Sequence, residues 1–375
     1  MLPAGFYHNQ SGCPIHGNTA FVNVELPQPP ASGIDEKTML EIYVDVQRDK
    51  ALLNADLYNF TRNNLTAAIN KVYPGLKYDH PDFYMAMRLR NNASRFAGYK
   101  TAWQVAELRD VDDTDSINTL NKKYNTNYMR SEYEHTVRST RAAKNWQNFA
   151  ADKDLYPYLE YMPSTAGEPR NEHRMLYGEI KPLDDPFWDT WLPPADWGCK
   201  CSVQQRRSDK GTTQPPEEIT LPPQAMRNNP GKDGQIFTDQ HPMISQVGKN
   251  ERKLIEDETG KLENRIRRED ALKFAKSNII GKKLKTKDGL LVAVSKGSID
   301  KMNSQGSQDY ITDLPDILSK MEVSKLPELP TKGKRNIELT HFYQYQLKNL
   351  LFNAVVWEMK GKSKTFILHT FNVKK

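Results

Sequence analysis

Residues 184–201, DDPFWDTWLPPADWGCKC, hold the strongest structural signal in this chain of 375 residues. The stretch contains Phe187 and three of the six tryptophans, interrupts them with Pro193-Pro194, and ends on two of the three cysteines. Large aromatic side chains gain much from burial, and consecutive prolines restrict the backbone. We therefore predict a compact aromatic knot, defined as residues 184–201, that packs against a helix covering residues 128–149.

Two thiols and one imidazole give the aromatic knot a candidate metal site. Cys199 and Cys201 close the knot, and His173 precedes it. Thiolate and imidazole ligands are typical of tetrahedral zinc, so the metal hypothesis predicts one structural zinc on these three residues. The candidates for a fourth ligand are Cys13, His16, Glu172 and Asp196.

Two other interpretations of the same residues remain open. The cysteines are consistent with small core residues among the aromatics, with His173 bound to a backbone carbonyl. A further hypothesis makes Cys199 a nucleophile paired with His173 and set beside the cationic Lys200. Aromatic crowding argues against the nucleophile, because burial raises the pKa of a thiol.

Helical periodicity dominates the chain before the aromatic knot. Apolar residues recur at helical spacing at Leu53, Leu57, Phe60, Leu65, Ile69 and Val72. Pro74-Gly75 ends that segment, and a second helical stretch runs over residues 81–108. The pattern over residues 125–150 is the clearest, with Thr126 or Asn127 as its expected N-cap.

The chain changes character after the aromatic knot. Residues 205–248 are rich in Pro, Gly and Asn and lack periodicity, which predicts an extended linker over the surface. Residues 249–276 form a charged helical stretch. Beyond them we predict a strand at 289–295, a short helix at 314–321 and a hairpin over 353–373 that turns near Gly361.

These patterns predict an α+β multidomain protein. An irregular arm covers residues 1–35, and a mainly α domain with the aromatic and Cys-rich knot covers residues 36–205. A linker and charged helix cover residues 206–265, and a small basic α+β domain covers residues 266–375. The length suits two or three units of ordinary size.

The positive charge is concentrated at the C-terminus. Residues 266–375 hold 21 Lys and Arg against 11 Asp and Glu, a net charge of +10, whereas the chain as a whole carries +6. Such asymmetry favours an acidic partner, and nucleic acid is the first candidate. A solvated lysine surface is the alternative interpretation.

Neither secretion nor membrane insertion is expected. Three cysteines do not form a disulfide framework, and the first thirty residues lack a basic stretch followed by an apolar core. The longest apolar run, near residues 350–357, is too short to cross a bilayer. We expect no signal peptide and no membrane partner, and we expect the protein to be made in a cytoplasm.

The order of motifs around the aromatic knot resembles the phage Mu F-type minor head proteins, the head-morphogenesis family. The motifs are R-x-x-H-x-x-L-x-G at 170–178, D-x-F-W at 185–188 and P-P-x-x-W-x-C-x-C at 193–201. The preceding helix resembles the family's helix with Arg-x-Glu near its start, here Arg130 and Glu132. The resemblance covers roughly residues 36–242. Lys200 stands where the family usually has Arg, which weakens any role that needs a guanidinium there.

The resemblance implies a virion component present in few copies. Such proteins associate with phage portal and capsid proteins during procapsid assembly, first in the bacterial host cytoplasm and then in the virion. They are expected to contact DNA without sequence preference, here through the basic C-terminal domain.

The C-terminal domain is similar, more weakly, to phage polyvalent domains related to barnase, EndoU, colicin and RelE nucleases. That likeness implies an alternative function, a toxin-like effector with a metal-independent ribonuclease domain. Such a reaction needs a base, an acid and cations. The candidates for these roles are His341, Lys348, His369 and Thr370, with Lys296 and Ser298 as outer possibilities. Strand alternation predicts that His369 shares a face with Phe371, which is more typical of a core histidine.

Overall fold

Helices dominate the first part of the chain and strands the last part. The computed structural model describes residues 33–213, 219–330, 336–361 and 363–374. The helices up to residue 151 are α1 (Glu36–Arg48), α2 (Ala55–Val72), α3 (Phe83–Arg109), α4 (Thr114–Asn121) and α5 (Met129–Ala151). The elements around the aromatic knot are β1 (Tyr158–Met162), α6 (Asn171–Arg174), β2 (Ile180–Pro182), α7 (Phe187–Trp191) and β3 (Ser202–Arg206).

The remaining elements connect the knot to the C-terminal sheet. The helices are α8 (Pro230–Asp233), α9 (Pro242–Ser245), α10 (Lys249–Asn278), α11 (Lys296–Ser304) and α12 (Leu314–Lys320). The strands are β4 (Lys283–Lys285), β5 (Leu291–Ala293), β6 (Glu322–Glu328), β7 (Ile337–Leu347), β8 (Leu350–Met359) and β9 (Thr365–Lys374). The α+β prediction is confirmed, and no helix among the described residues is long and apolar enough to cross a membrane.

Local signals set the first helices. Asp35 caps α1 by accepting a hydrogen bond from the Thr38 amide at 3.0 Å, and Asn54 caps α2 in the same way. The predicted period of α2 is confirmed, because Leu57, Leu65 and Ile69 are among its buried residues. Of the predicted N-terminal arm, the structure describes only residues 33–35.

Helix α3 is buried on nearly every side. It packs against α2, α10, α9 and α1, and its buried residues follow no single stripe. Gly98 permits the closest of these approaches, since a Cβ there would lie 2.0 Å from Oγ1 of Thr259 in α10. The other elements of the N-terminal part are therefore arranged around this helix.

A buried ion pair joins α3 to α5. Nζ of Lys100 donates to Oε2 of Glu132 at 2.6 Å, and both side chains are almost fully buried. Burial lowers the pKa of Lys100 and raises the pKa of Glu132, while each charge opposes the shift of the other. Direct contact between the two groups therefore offsets part of the cost of burying each of them.

The predicted N-cap of α5 is wrong. Residues Lys122–Tyr128 form a π-helical turn that continues α4 into α5, and Tyr128 keeps helical backbone angles with no side-chain cap. Thr126 and Asn127 therefore lie inside a continuous helical backbone. A π-turn has no distinctive side-chain pattern, so the sequence could not show it.

The extended linker predicted for residues 205–248 is wrong for residues 219–248, because this segment packs against α5, α3 and the aromatic knot. Phe237 stacks on Phe96 with ring centroids 3.8 Å apart. The Asn92 side chain accepts hydrogen bonds from the amides of Ile236 and Phe237 and donates to the Phe237 carbonyl. The Asn92 side chain thus satisfies backbone groups that a neighbouring strand would otherwise bind. The domain boundaries themselves stay predictions.

The C-terminal sheet has the order β4-β5-β9-β8-β7-β6 among the described residues. Strands β5 and β9 are parallel, and the other neighbours are antiparallel. Helices α11 and α12 share its core, which also takes in Tyr78 and Phe83 from the N-terminal part. The predicted strand, short helix and hairpin are confirmed.

A β-bulge changes the faces of β9. Val355 pairs with Thr370 whereas Val356 pairs with Leu368, so His369 is the extra residue. The bulge puts both Leu368 and Phe371 in the core and His369 on the opposite face, stacked on Trp357. The predicted sharing of a face by His369 and Phe371 is therefore wrong, because one inserted residue reverses the alternation.

Breaking the Lys100–Glu132 pair should destabilise the protein strongly. We expect Lys100→Met or Glu132→Leu alone to lower the free energy of unfolding by about 3–5 kcal/mol, because each leaves an uncompensated buried charge. The double variant should recover most of that loss. Equilibrium denaturation measures the effect. As a control, replacing one residue of the exposed pair Lys37–Glu41 should change the free energy of unfolding by less than about 1 kcal/mol. Equal losses for the double and single variants would contradict the interpretation.

Stability should fall on acidification through two buried histidines. Burial lowers the pKa of His135 and of His241 to about 4, below the ordinary value of about 6.5. The unfolded chain therefore binds more protons between these values, and the stabilisation is complete above about pH 6.5 and lost towards pH 4. His241→Asn keeps a capping side chain for α9. In this variant the free energy of unfolding, measured by denaturation at several pH values, should depend less on pH between about 4 and 6.5. The half-exposed His80, replaced by Asn, is the control, and equal slopes in both variants would contradict the assignment.

Candidate functional site

The aromatic knot forms its own core beside α5. Trp188 is fully buried and its indole N–H donates to the Pro182 carbonyl at 2.9 Å. The cluster joins Trp188, Trp191 and Leu192 to Trp146 of α5 and to Leu159 and Tyr161 of β1. Strands β2 and β3 flank β1 in an antiparallel sheet. The predicted aromatic and Cys-rich cluster is therefore present, and it rests on the predicted helix.

The structure brings His173, Cys199 and Cys201 together. Their ligand atoms lie within 4.8 Å of one another. Nδ1 of His173 is 3.5 Å from Sγ of Cys199 and 3.6 Å from Sγ of Cys201. His173 and Cys199 are buried and Cys201 is partly exposed, and both cysteines are free thiols. The three residues converge on one small volume.

Arg170 and two backbone contacts position the three side chains. Arg170 forms an ion pair with Asp196 at 3.0 Å and donates to the Trp197 carbonyl at 2.9 Å, which fixes the start of α6 against the end of the knot. The Cys199 amide donates to the Asp196 carbonyl. The Thr165 amide donates to the Lys200 carbonyl, so the Cys-Lys-Cys turn is held from both sides.

The pKa values of the two thiols shift in opposite directions. The hydrogen bond with Cys201 lowers the pKa of Cys199, and His173 acts in the same direction. The same bond to Cys199, together with burial, raises the pKa of Cys201. With only 4% of its surface exposed, Cys199 is poorly placed to attack a substrate, whereas a buried thiolate next to an imidazole suits metal binding.

The structure separates the candidates for a fourth ligand. Asp196 is engaged by Arg170, and neither Asp196 nor Glu172 belongs to the ligand cluster among the described residues. Cys13 and His16 lie outside the described residues. Tyr161 is a neighbour that the sequence did not single out. Its buried hydroxyl is close enough to Cys201 for that thiol to raise its pKa, although burial is the larger cause.

The C-terminal candidates lie at separate places. Nε2 of His341 is 2.8 Å from Oε2 of the buried Glu358, whose other oxygen is 2.6 Å from Nζ of Lys364. The hydrogen bond with Lys364, and to a lesser degree that with His341, lowers the pKa of Glu358. His341 also contacts Phe366, which packs on the C-terminal core. Its environment is a satisfied ion cluster at one end of the sheet.

His369 occupies the other face of that sheet. Lys301 of α11 lies 2.7 Å from Nε2 of His369 and also over the Trp357 ring. Alternation along β8 separates Trp357 from Val356 and Glu358, which lie on the core face. His341 and His369 therefore lie on opposite faces, and Thr370, which pairs with Val355, follows His369.

The other C-terminal candidates do not join either histidine. Lys348 lies in the turn between β7 and β8 at φ 52°, seven residues or roughly 20 Å along the strand from His341. Ser298 is buried and donates to the Leu368 carbonyl at 2.5 Å. Lys296 is the exposed first residue of α11. In the part of the chain that the structure describes, these residues form no common centre.

Comparisons with known proteins find local matches to the segment that holds the site. Residues 100–204 match the family model described as "Phage Mu protein F like protein". The chain is 35% identical over 72 residues to "Putative capsid assembly protein F" of Escherichia phage Mu, which covers 19% of this chain and 16% of that protein. It is 43% identical over 51 residues to "Mu-like prophage FluMu F protein" of Haemophilus influenzae, covering 14% and 12%.

These matches are local. The chain spans less than a fifth of the length of the curated relatives that it matches. No solved structure gives a significant match. The matched segment runs from Lys100 in α3 to β3 and contains His173, Cys199, Cys201 and the aromatic knot. The resemblance predicted from the motifs is confirmed over residues 100–204, which we call the Mu F-like segment.

Proposed function

We propose that this protein is a phage head-assembly component that associates with portal and capsid proteins during procapsid formation. The observation that carries the proposal is the Mu F-like segment at residues 100–204, since a relative that shares it bears the name of a capsid assembly protein. The proposal places the chain in the host cytoplasm during assembly and afterwards in the virion.

The geometry of the matched segment supports an architectural role. Its potentially reactive groups, His173 and Cys199, are buried and face each other. Trp188, Trp191 and Trp146 pack together in one buried cluster. Both features suit a rigid module that presents a surface to other proteins.

A lysine-rich surface supports DNA contact as the second part of the proposal. Between residues 271 and 287 the chain carries six lysines and no acidic residue. Lys273 and Lys276 are exposed at the end of α10, and Lys282, Lys283 and Lys285 are exposed on and beside the edge strand β4. We call these five residues the lysine patch. Phosphate groups bind such surfaces without regard to sequence.

The ribonuclease alternative receives less support from the geometry. A base and an acid must reach the same phosphodiester, yet His341 and His369 lie on opposite faces of the sheet. His341 is also held by Glu358 at 2.8 Å. Binding without cleavage is therefore the activity that we propose for the C-terminal domain. RNA cleavage that is lost in His341→Ala or His369→Ala would favour the alternative.

Neutralising the lysine patch should weaken DNA binding and its salt dependence. Lys282, Lys283 and Lys285 replaced together by Gln should reduce the slope of log K against log salt by up to about 3, because each phosphate contact contributes about 0.9. Fluorescence anisotropy on duplexes of unrelated sequence should show the same loss for each. Lys37, Lys253 and Lys261 replaced by Gln remove the same charge elsewhere. Equal slopes for the two triple variants would contradict a role for the patch.

The assembly role predicts co-sedimentation with procapsids. The tagged full chain, co-expressed with the portal and major capsid proteins of its own phage, should migrate with procapsids in a density gradient at few copies per particle. The triple lysine-patch variant should still migrate with them, since the proposal assigns docking to the Mu F-like segment. A chain that stays at the top of the gradient while procapsids form normally would refute the assembly role.

A further inference from the structure

We propose that His173, Cys199 and Cys201 bind one zinc ion, with a solvent oxygen in the fourth position. The inference is independent of the proposed function. It concerns how the Mu F-like segment is held together, whatever partner that segment meets.

The two sulfur-to-nitrogen distances in the cluster match those of a zinc site. Zinc binds sulfur at about 2.3 Å and imidazole nitrogen at about 2.0–2.1 Å, so a tetrahedral ion sets the sulfur-to-nitrogen distance at about 3.6 Å. The observed distances from Nδ1 of His173 are 3.5 Å to Cys199 and 3.6 Å to Cys201. Both sulfur-to-nitrogen distances therefore equal those that a shared ion would set.

When Nδ1 of His173 is the unprotonated nitrogen, hydrogen bonding accounts for only one of its two sulfur contacts. A neutral imidazole has one nitrogen that accepts, with a single lone pair, so it can accept from one thiol and not from two. Both sulfur atoms nevertheless point at the same atom, Nδ1 of His173. A metal ion at the common centre lets one nitrogen and two thiolates bind at once.

The charge of the site also fits a divalent ion. Two thiolates in a largely buried pocket need a compensating charge. Arg170 is occupied by Asp196 and by the Trp197 carbonyl, while Lys200 between the thiols is exposed. Zinc would supply two positive charges at the thiolates themselves. The soft sulfur and borderline nitrogen donors favour zinc over calcium or magnesium.

The partial exposure of Cys201 leaves one side of the site accessible. His173 and Cys199 are buried, whereas Cys201 is of intermediate exposure. Among the described residues only these three offer clustered ligand atoms, and a tetrahedral ion then takes its fourth ligand from solvent. The ion would tie α6 to the turn before β3, and so hold Trp197, whose ring lies 5.0 Å from that of His135 in α5.

Metal analysis of the purified full chain tests the proposal. About one zinc per chain is expected, and Cys199→Ser, Cys201→Ser and His173→Ala should each reduce it several-fold. The controls are Cys13→Ser and His80→Asn, which change the same residue types elsewhere and should keep the zinc. Wild-type protein without zinc, or with zinc that survives all three substitutions, would overturn the assignment.

Cobalt exchange keeps the test valid if the variants fail to fold. Wild-type protein stripped by a chelator and loaded with Co²⁺ should show tetrahedral d–d bands and thiolate-to-cobalt charge transfer. An octahedral spectrum without charge transfer would refute the site. Cys13→Ser should leave the charge-transfer intensity unchanged. A drop by a third would show that Cys13 supplies a third thiolate in place of the proposed solvent ligand.

Zinc removal should lower the Tm of the wild type by roughly 5 °C or more, and an unchanged Tm would refute a stabilising ion.

Discussion

The structure depends on one long helix that is buried on almost every side. Helix α3 exposes little of its surface to solvent, so a buried polar side chain on it is stabilised where it has a partner inside the protein. Lys100 pairs with Glu132 on α5, and Asn92 forms hydrogen bonds with the backbone of Ile236 and Phe237. These polar contacts select which elements surround α3, because an apolar neighbour in the same place would leave a buried charge or amide without a partner.

The Mu F-like segment inherits its position from this arrangement. The family match begins at Lys100, the residue that binds α5, and α5 then carries Trp146 into the core of the aromatic knot. The Mu F-like segment therefore packs together with the N-terminal helices and is not an independent domain. Trp197 adds a second connection, because it lies between the His173 cluster and the rings of His135 and His241.

Local patterns were sufficient for much of the fold, and the failures share one cause. The periodicity of α2 and the alternation in the β8–β9 hairpin predicted both elements, since each depends on neighbours a few residues apart. The packed segment 219–248 depends on Asn92, more than 140 residues away in sequence. The bulge at His369 depends on a single inserted residue that no composition reveals. For the metal cluster, the residue types were evident from the sequence, but only the fold shows both thiols facing one nitrogen.

The shared core of the two ends of the chain changes what the lysine patch can do. Tyr78 and Phe83 of the N-terminal part pack in the C-terminal core, and Lys320 binds both Tyr78 and Asp79. A basic domain on a flexible tether would search a wide volume for nucleic acid. Here the patch keeps a fixed position relative to the Mu F-like segment, because separating them would expose buried aromatic surface. If that segment docks on a procapsid, as we propose, the docking orientation decides whether the lysines face packaged DNA.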